Sequence, residues 1–304
     1  MERDQSDLNE LADLVASQFD ELSPQLRKAA RFLLESPDDV ALRSMRQLAA
    51  QSGIPPATFV RLARALGYKE YQELRLLFQG RMRKRSADVT GYTPKVRDLQ
   101  LRTKTGGTAE LLNDLYLADI RNIESTFENN NADVIERALK LIEKSGQVYI
   151  VGQRSCYSVA FFFNYVYRLA HSNSTLLHSD GGIFADELRD IKRADLLIAI
   201  SLAPYSKSVV EATHFARERG AKVLAITDDR LSAIGRAATE CLTVSSGTPS
   251  FFHSLISLVA IVEALLACLA ARGGKEALAA LKQSERQTAR FNPYWPDKPK
   301  KSER

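Results

Sequence analysis

Two short stretches of this chain carry residue types at spacings that could do chemistry. The first, residues 47–66, reads QLAAQSGIPPATFVRLARAL. Two helices that cross steeply need a small residue at the contact and a tight turn between them, and Ala49 and Gly53 supply these. Ile54, Phe59, Leu62, Ala63 and Leu66 recur at the spacing of one inner helical face. The opposite face is expected to present Thr58, Arg61 and Ala65, flanked by Arg64. A guanidinium can bond both O6 and N7 of a guanine, and a threonine can meet a base edge or a phosphate. Arg46, Pro56 and Lys69 complete the set of residues expected at a DNA surface. The plain alternative is an ordinary helical hairpin with a basic outer face. Pro55 stands where a capping serine would be expected, while Pro56 suits the first helical position.

The second stretch, residues 148–160, reads VYIVGQRSCYSVA: a strand, a glycine turn and a helix start. A helix that begins after a parallel strand offers unpaired N–H groups and a positive dipole end, a natural setting for phosphate. Gly152, Gln153, Arg154, Ser155 and Cys156 are the candidate contacts, and Ser158 can add a hydroxyl. A plain strand-to-helix connection has the same outline. His253, in the run FFHS at 251–254, could face a ligand or sit satisfied in an interface.

The elements that must position these residues follow from turn signals and periodicity. Ser23-Pro24 opens a helix to Leu34, and Ser36-Pro37 ends it. Short helices follow at 38–42, 44–52 and 56–66, with Gly53 and Gly67 as stops, and 69–79 continues helically. Residues 8–19 read as a short amphipathic helix or a frayed tail. The basic run Arg81, Arg83, Lys84 and Arg85, followed by Gly91, Pro94, Gly106 and Gly107, has linker composition. From residue 108 onward short apolar strands alternate with helices: strands at 147–151, 174–178, 195–201, 221–227 and 240–244. That alternation specifies a parallel sheet covered on both faces. The expected organisation is a helical DNA-binding domain at 1–80, a basic linker at 81–108, an α/β three-layer domain with a five-stranded parallel sheet at 109–290, and a disordered tail at 291–304.

Composition agrees with this division. At 304 residues, 45% hydrophobic and 26% charged, the chain is that of a soluble globular protein with room for two cores. The net charge of +5 hides an asymmetry: residues 20–104 hold 17 Lys/Arg against 9 Asp/Glu, a net of +8, which leaves −3 for the remainder. A basic block of this size suits a polyanion. Cys156, Cys241 and Cys268 are widely spaced, and neither they nor the four histidines have metal-ligand spacing, so no disulfide framework, metal or cofactor is expected. The apolar run at 255–271 carries Glu263 and is short for a bilayer, so it is expected to be a buried helix. No N-terminal segment reads as a signal peptide, and the cytoplasm is the expected compartment.

Residues 22–40, LSPQLRKAARFLLESPDDV, and 48–75, LAAQSGIPPATFVRLARALGYKEYQELR, resemble the N-terminal domain of the RpiR family of bacterial regulators. In that family a helix-turn-helix domain precedes a sugar-isomerase (SIS) domain, and the resemblance covers about residues 20–290. It implies an operator-binding homodimer or homotetramer, more often a repressor than an activator, controlled by a small anionic metabolite such as a sugar phosphate. Members of the family show a second loop similar to ISxSGET, and here residues 200–206 read ISLAPYS. Ser201 and Ser206 match the two end hydroxyls, while Ala203, Pro204 and Tyr205 stand for serine, glycine and glutamate. Cys156 takes a usual serine position in the first loop. The resemblance therefore implies an effector site at Gly152, Gln153, Arg154, Ser155, Cys156, Ser201, Ala203, Tyr205, Ser206 and His253. An aldose–ketose isomerase needs a general base, and tyrosine occupies the loop's glutamate position, so no enzyme is expected. Asp228, just past a strand's end, is placed near the pocket. Two alternatives stand beside the regulator: a SIS domain kept only as a dimerisation scaffold, and a sugar-phosphate isomerase.

Overall fold

A computed structural model describes residues 11, 14, 15, 17–19, 21–89, 91–178 and 184–295. The N-terminal part is helical, with α1 (Pro24–Glu35), α2 (Pro37–Leu42), α3 (Met45–Ser52), α4 (Pro56–Ala65) and α5 (Tyr71–Val89). Ser44 caps α3 in a reciprocal box with Gln47, which satisfies two orphan N–H donors at the helix start. Gly53 ends α3 with φ 65°, a left-handed position that favours a residue without Cβ. Leu33, Leu48, Ile54, Phe59, Leu62, Leu74 and Phe78 form the core of this part. Arg75 donates to the carbonyls of Val40 and Ala41, and Gln79 donates to Ala41 as well, satisfying the open end of α2.

The expected linker is a difference between sequence and structure. Helix α5 continues to Val89, and α6 (Tyr92–Asn129) begins directly after Gly91, broken only at Gly107 with φ 75° and ψ 179°. Pro94 falls in the first turn of α6, where a missing N–H costs nothing, and the surrounding Lys, Arg, Leu and Gln residues are good helix formers. The side chains of the basic run 81–85 lie outside the described residues.

The C-terminal part follows with α7 (Ala132–Glu143), β1 (Val148–Gly152), α8 (Cys156–Ala170), β2 (Ser174–Leu176), α9 (Phe184–Glu187), β3 (Leu196–Ser201), α10 (Lys207–Glu218), β4 (Lys222–Thr227), α11 (Ala233–Ala237), β5 (Glu240–Thr243), α12 (Ile256–Arg272) and α13 (Gly274–Phe291). The five strands are parallel in the order β2-β1-β3-β4-β5. Alternate side chains serve opposite faces. Val148, Ile150, Ile198 and Ile226 pack under α7, α8 and α12, while Tyr149, Val151, Ala199 and Val223 pack under α10 and α11. Helix α12 is the apolar run, with Leu258, Ile261, Val262 and Leu265 buried. Among the described residues no single helix is long and apolar enough to cross a membrane. Helix α13 had no counterpart among the expected elements, and Asn292, left-handed at φ 45°, closes it. Of the expected tail, residues 296–304 lie outside the described residues.

Candidate DNA reader and effector site

In the first candidate region, α3, the Gly53 turn and α4 form the two-helix unit expected from the spacing. Ile54, Phe59, Leu62, Ala63 and Leu66 are all buried. Arg46, Pro56, Arg61, Arg64, Ala65 and Lys69 are exposed, so the basic face of α4 and its flanks is open to solvent. Thr58 is not part of that face: its side chain is 1% exposed. The reason is helical geometry, because position 58 lies one turn above Leu62 on the inward stripe. Its Oγ1 accepts from Arg61 Nη2 at 3.5 Å, so Thr58 bonds the guanidinium head of an exposed arginine from the inner side. Lys69 contributes its backbone N–H to the Glu73 carboxylate at 2.9 Å, which fixes the start of α5 and leaves the ammonium outward.

The second region lies at the carboxyl ends of β1, β3 and β4. Chain order reverses between β1 and β3, and in open parallel sheets ligands bind in the crevice outside such a switch point. The register pairs Gly152 with Ile200 and Ser201 with Thr227, which brings the loops 152–156, 201–206 and 228–231 to one edge. A Cβ on Gly152 would stand 2.6 Å from the Cys156 carbonyl oxygen and 2.9 Å from Ala160 Cβ, so glycine is required for α8 to start this close to the sheet. Arg154 holds φ 56° without being glycine, a local strain of about 1–3 kcal/mol that the surrounding turn must sustain.

Ser155 Oγ lies 3.0 Å from His253 Nε2, which joins the first loop to the segment before α12. Ser155 makes no side-chain cap to α8, and its hydroxyl is engaged with His253. Ser206 begins α10 in extended conformation, again with no side-chain cap bond, and its N–H donates to Ser201 Oγ at 3.3 Å. Ser201 itself is 3% exposed and acts as the latch of this loop. The Cys156 side chain departs from the expected site: it is buried in the core under α8, where burial pushes its thiol up. What Cys156 offers to a ligand is the backbone at the helix start.

Tyr205 and Ala203 do something the spacing did not reveal. The Tyr205 hydroxyl donates to Asp228 Oδ1 at 2.9 Å, and the Ala203 N–H donates to Asp228 Oδ2 at 3.2 Å. The second loop is thus folded onto a carboxylate of the same chain. Burial pushes Asp228 up to about 6 against these two stabilising bonds. A second pair, Tyr157 Oη with His178 Nδ1 at 3.0 Å, lies beside the first turn of α8. Gln153 and Arg154 flank the turn, half-buried and exposed respectively. Among the described residues no cluster of His, Cys, Asp and Glu could hold a metal ion.

Two family models match the chain. Residues 9–85 match the helix-turn-helix domain of the rpiR family, and residues 141–271 match the SIS domain. The chain belongs to the RpiR family. The HTH-type transcriptional regulator HexR of Pseudomonas aeruginosa is 26% identical over 242 residues, 78% of this chain and 79% of HexR. The sugar isomerase domain of an RpiR transcription factor from Sphaerobacter thermophilus superposes with a TM-score of 0.56 at 29% identity, covering 58% of this chain and 99% of that domain. The NanR protein of Vibrio vulnificus, solved in complex with ManNAc-6P, shares the fold with a TM-score of 0.54 at 19% identity over 92% of this chain and 98% of NanR. This RpiR-family chain is a DNA-binding transcriptional regulator.

Proposed function

We propose that this RpiR-family regulator is a cytoplasmic repressor, acting as a homodimer or homotetramer, whose operator affinity is set by a small anionic metabolite of the sugar-phosphate kind. The observation that carries this reading is the Ser155–His253 pair at the start of α8, with α10 beginning at Ser206 beyond the adjacent strand β3, so that two helix N-termini lie at the sheet's switch point. Arg46, Arg61, Arg64 and Lys69 supply the phosphate and base contacts on the other domain, with Pro56 at the helix start against the backbone. The neighbouring NanR, solved with ManNAc-6P, supports the ligand class. A ligand that binds one arrangement of the sensor better shifts the population of that arrangement, and with it the reader.

The folded second loop favours a competing reading. With Tyr205 and Ala203 bonded to Asp228, the SIS domain could serve as an oligomerisation scaffold alone. Thermal denaturation against ManNAc-6P, other sugar phosphates and their unphosphorylated counterparts separates the two. Selective stabilisation by phosphorylated members is the expected result, amounting to about 2.7 kcal/mol at a hundredfold excess over Kd. No stabilisation by any member would leave the scaffold.

A further inference from the structure

The effector site is connected to the junction between the domains by a series of aromatic rings. His253, paired with Ser155, packs against Phe252 with ring centroids 4.2 Å apart and planes tilted by 36°. Phe252 meets Tyr92 at 5.7 Å, and Phe251 meets Tyr92 edge-on at 6.1 Å. Tyr92 is the first residue of α6 and follows Gly91, whose φ of 82° marks the break from α5. Leu74 and Phe78 of α5 are core residues of the reader. The rings therefore run from the Ser155 hydroxyl to the point where the reader's last helix joins the sensor.

The same segment is held at its other end by α6. Asn122 donates to the Gly247 carbonyl at 2.6 Å, Ser254 donates to Asp119 at 2.7 Å, and the Ser245 N–H donates to Thr126 Oγ1 at 2.9 Å. A ligand that competes for Ser155 or His253 acts on the imidazole beside Phe252, while the bonds from α6 hold the backbone of the same segment in place. A second contact leads the same way: beyond Asp228, Leu231 is 3% exposed and packed with the reader's core cluster.

We propose that the Tyr92–Phe252–His253 rings couple occupancy of the Ser155–His253 site to the orientation of the reader about the Gly91 junction. This rests on effector-controlled DNA binding, and supplies its missing link: a chain of contacts with a defined start and end. Tyr92 is half-exposed, so its removal leaves the cores of both domains intact.

A double-mutant cycle on the full chain tests the coupling without any ligand. A duplex is first selected from a random pool by the wild-type protein, and its Kd is then measured for wild type, His253→Ala, Tyr92→Ala and the double variant. His253→Ala is expected to change Kd at least fivefold in the wild-type background and less than twofold when Tyr92 is alanine. Tyr92→Phe, which keeps the ring, restores the full effect, and Phe252→Leu abolishes it as Tyr92→Ala does. An unchanged Kd in His253→Ala, or the same factor in both Tyr92 backgrounds, overturns the proposal. A wild-type chain that selects no duplex defeats the regulator reading itself, and the coupling with it.

Discussion

The reader and the sensor assemble their functional residues in different ways. Arg46, Pro56, Arg61, Arg64 and Lys69 all lie within residues 46–69, and one helix with its flanks presents them on a single outward face. Ser155, Ser206, Asp228 and His253 come from four segments between residues 155 and 253, and the first three lie at one edge of the sheet because parallel register aligns the carboxyl ends of β1, β3 and β4, with His253 joined to them through Ser155. A helix face is a one-dimensional pattern that survives the loss of any one outward side chain. A loop-built site depends on every strand and glycine that sets its register. The reader should therefore lose function without losing stability, and the sensor should lose both together.

Gly152→Ala is the strongest way to break that contrast. Its Cβ would clash with the Cys156 carbonyl, so a destabilisation of about 3 kcal/mol is expected, a fall in Tm of roughly 6–12 °C. The ligand site should fail with it. An unaltered melting temperature would mean that α8 does not pack on β1 as described.

Asp228 adds a pH test of the sensor. Its folded value near 6 lies above the ordinary 3.8, so the folded state holds a proton that the unfolded state releases between these values. The contribution of Asp228 to stability is accordingly fully present below about pH 4 and is lost as pH rises through 6, by up to roughly 3 kcal/mol and by less to the extent that water reaches the half-buried carboxylate. Asp228→Asn is expected to flatten that decline in urea titrations run from pH 4 to 8. An identical slope in the variant would remove Asp228 as its source.

Arg61→Ala probes the reader in isolation. Operator affinity is expected to fall by about 1–3 kcal/mol, roughly 5- to 150-fold, with the melting curve unmoved. Thr58→Val sharpens the comparison: with its side chain buried, base preference should persist, and a changed preference would restore Thr58 to the reading face. The smallest expected effect belongs to Ser206→Ala. Loss of its hydroxyl should weaken the response to sugar phosphates several-fold and leave ligand-free operator affinity as it was, as read in paired anisotropy titrations.

Much of this was legible in the sequence. The alternation of apolar strands with helices gave five parallel strands within a residue or two of their ends, because strands buried on both faces leave continuous apolar runs. The turn at Gly53 and the inner face at Phe59 and Leu62 followed from helical spacing. Thr58 was misplaced because its polar side chain hid its place on the inward stripe, one turn above Leu62. Residues 81–108 were read as a linker from three glycines, a proline and charge, yet propensity between those breaks favours helix. Cys156 matched a motif position, but burial under α8 turned its thiol to the core. The pairs Tyr205–Asp228, Ser155–His253 and Tyr92–Phe252 join residues 23, 98 and 160 positions apart, and nothing local in the sequence announces them.

The central claim is that one chain both reads a duplex and answers to a metabolite. Fluorescence anisotropy with DNA from the region upstream of its own gene, with and without ManNAc-6P and related sugar phosphates, tests both halves at once. Binding at least about 10³-fold tighter than to scrambled duplex, weakening as salt rises, and a shift in Kd when a sugar phosphate is added are expected. Equal affinity for the scrambled duplex, or a Kd that no sugar phosphate moves, would contradict it.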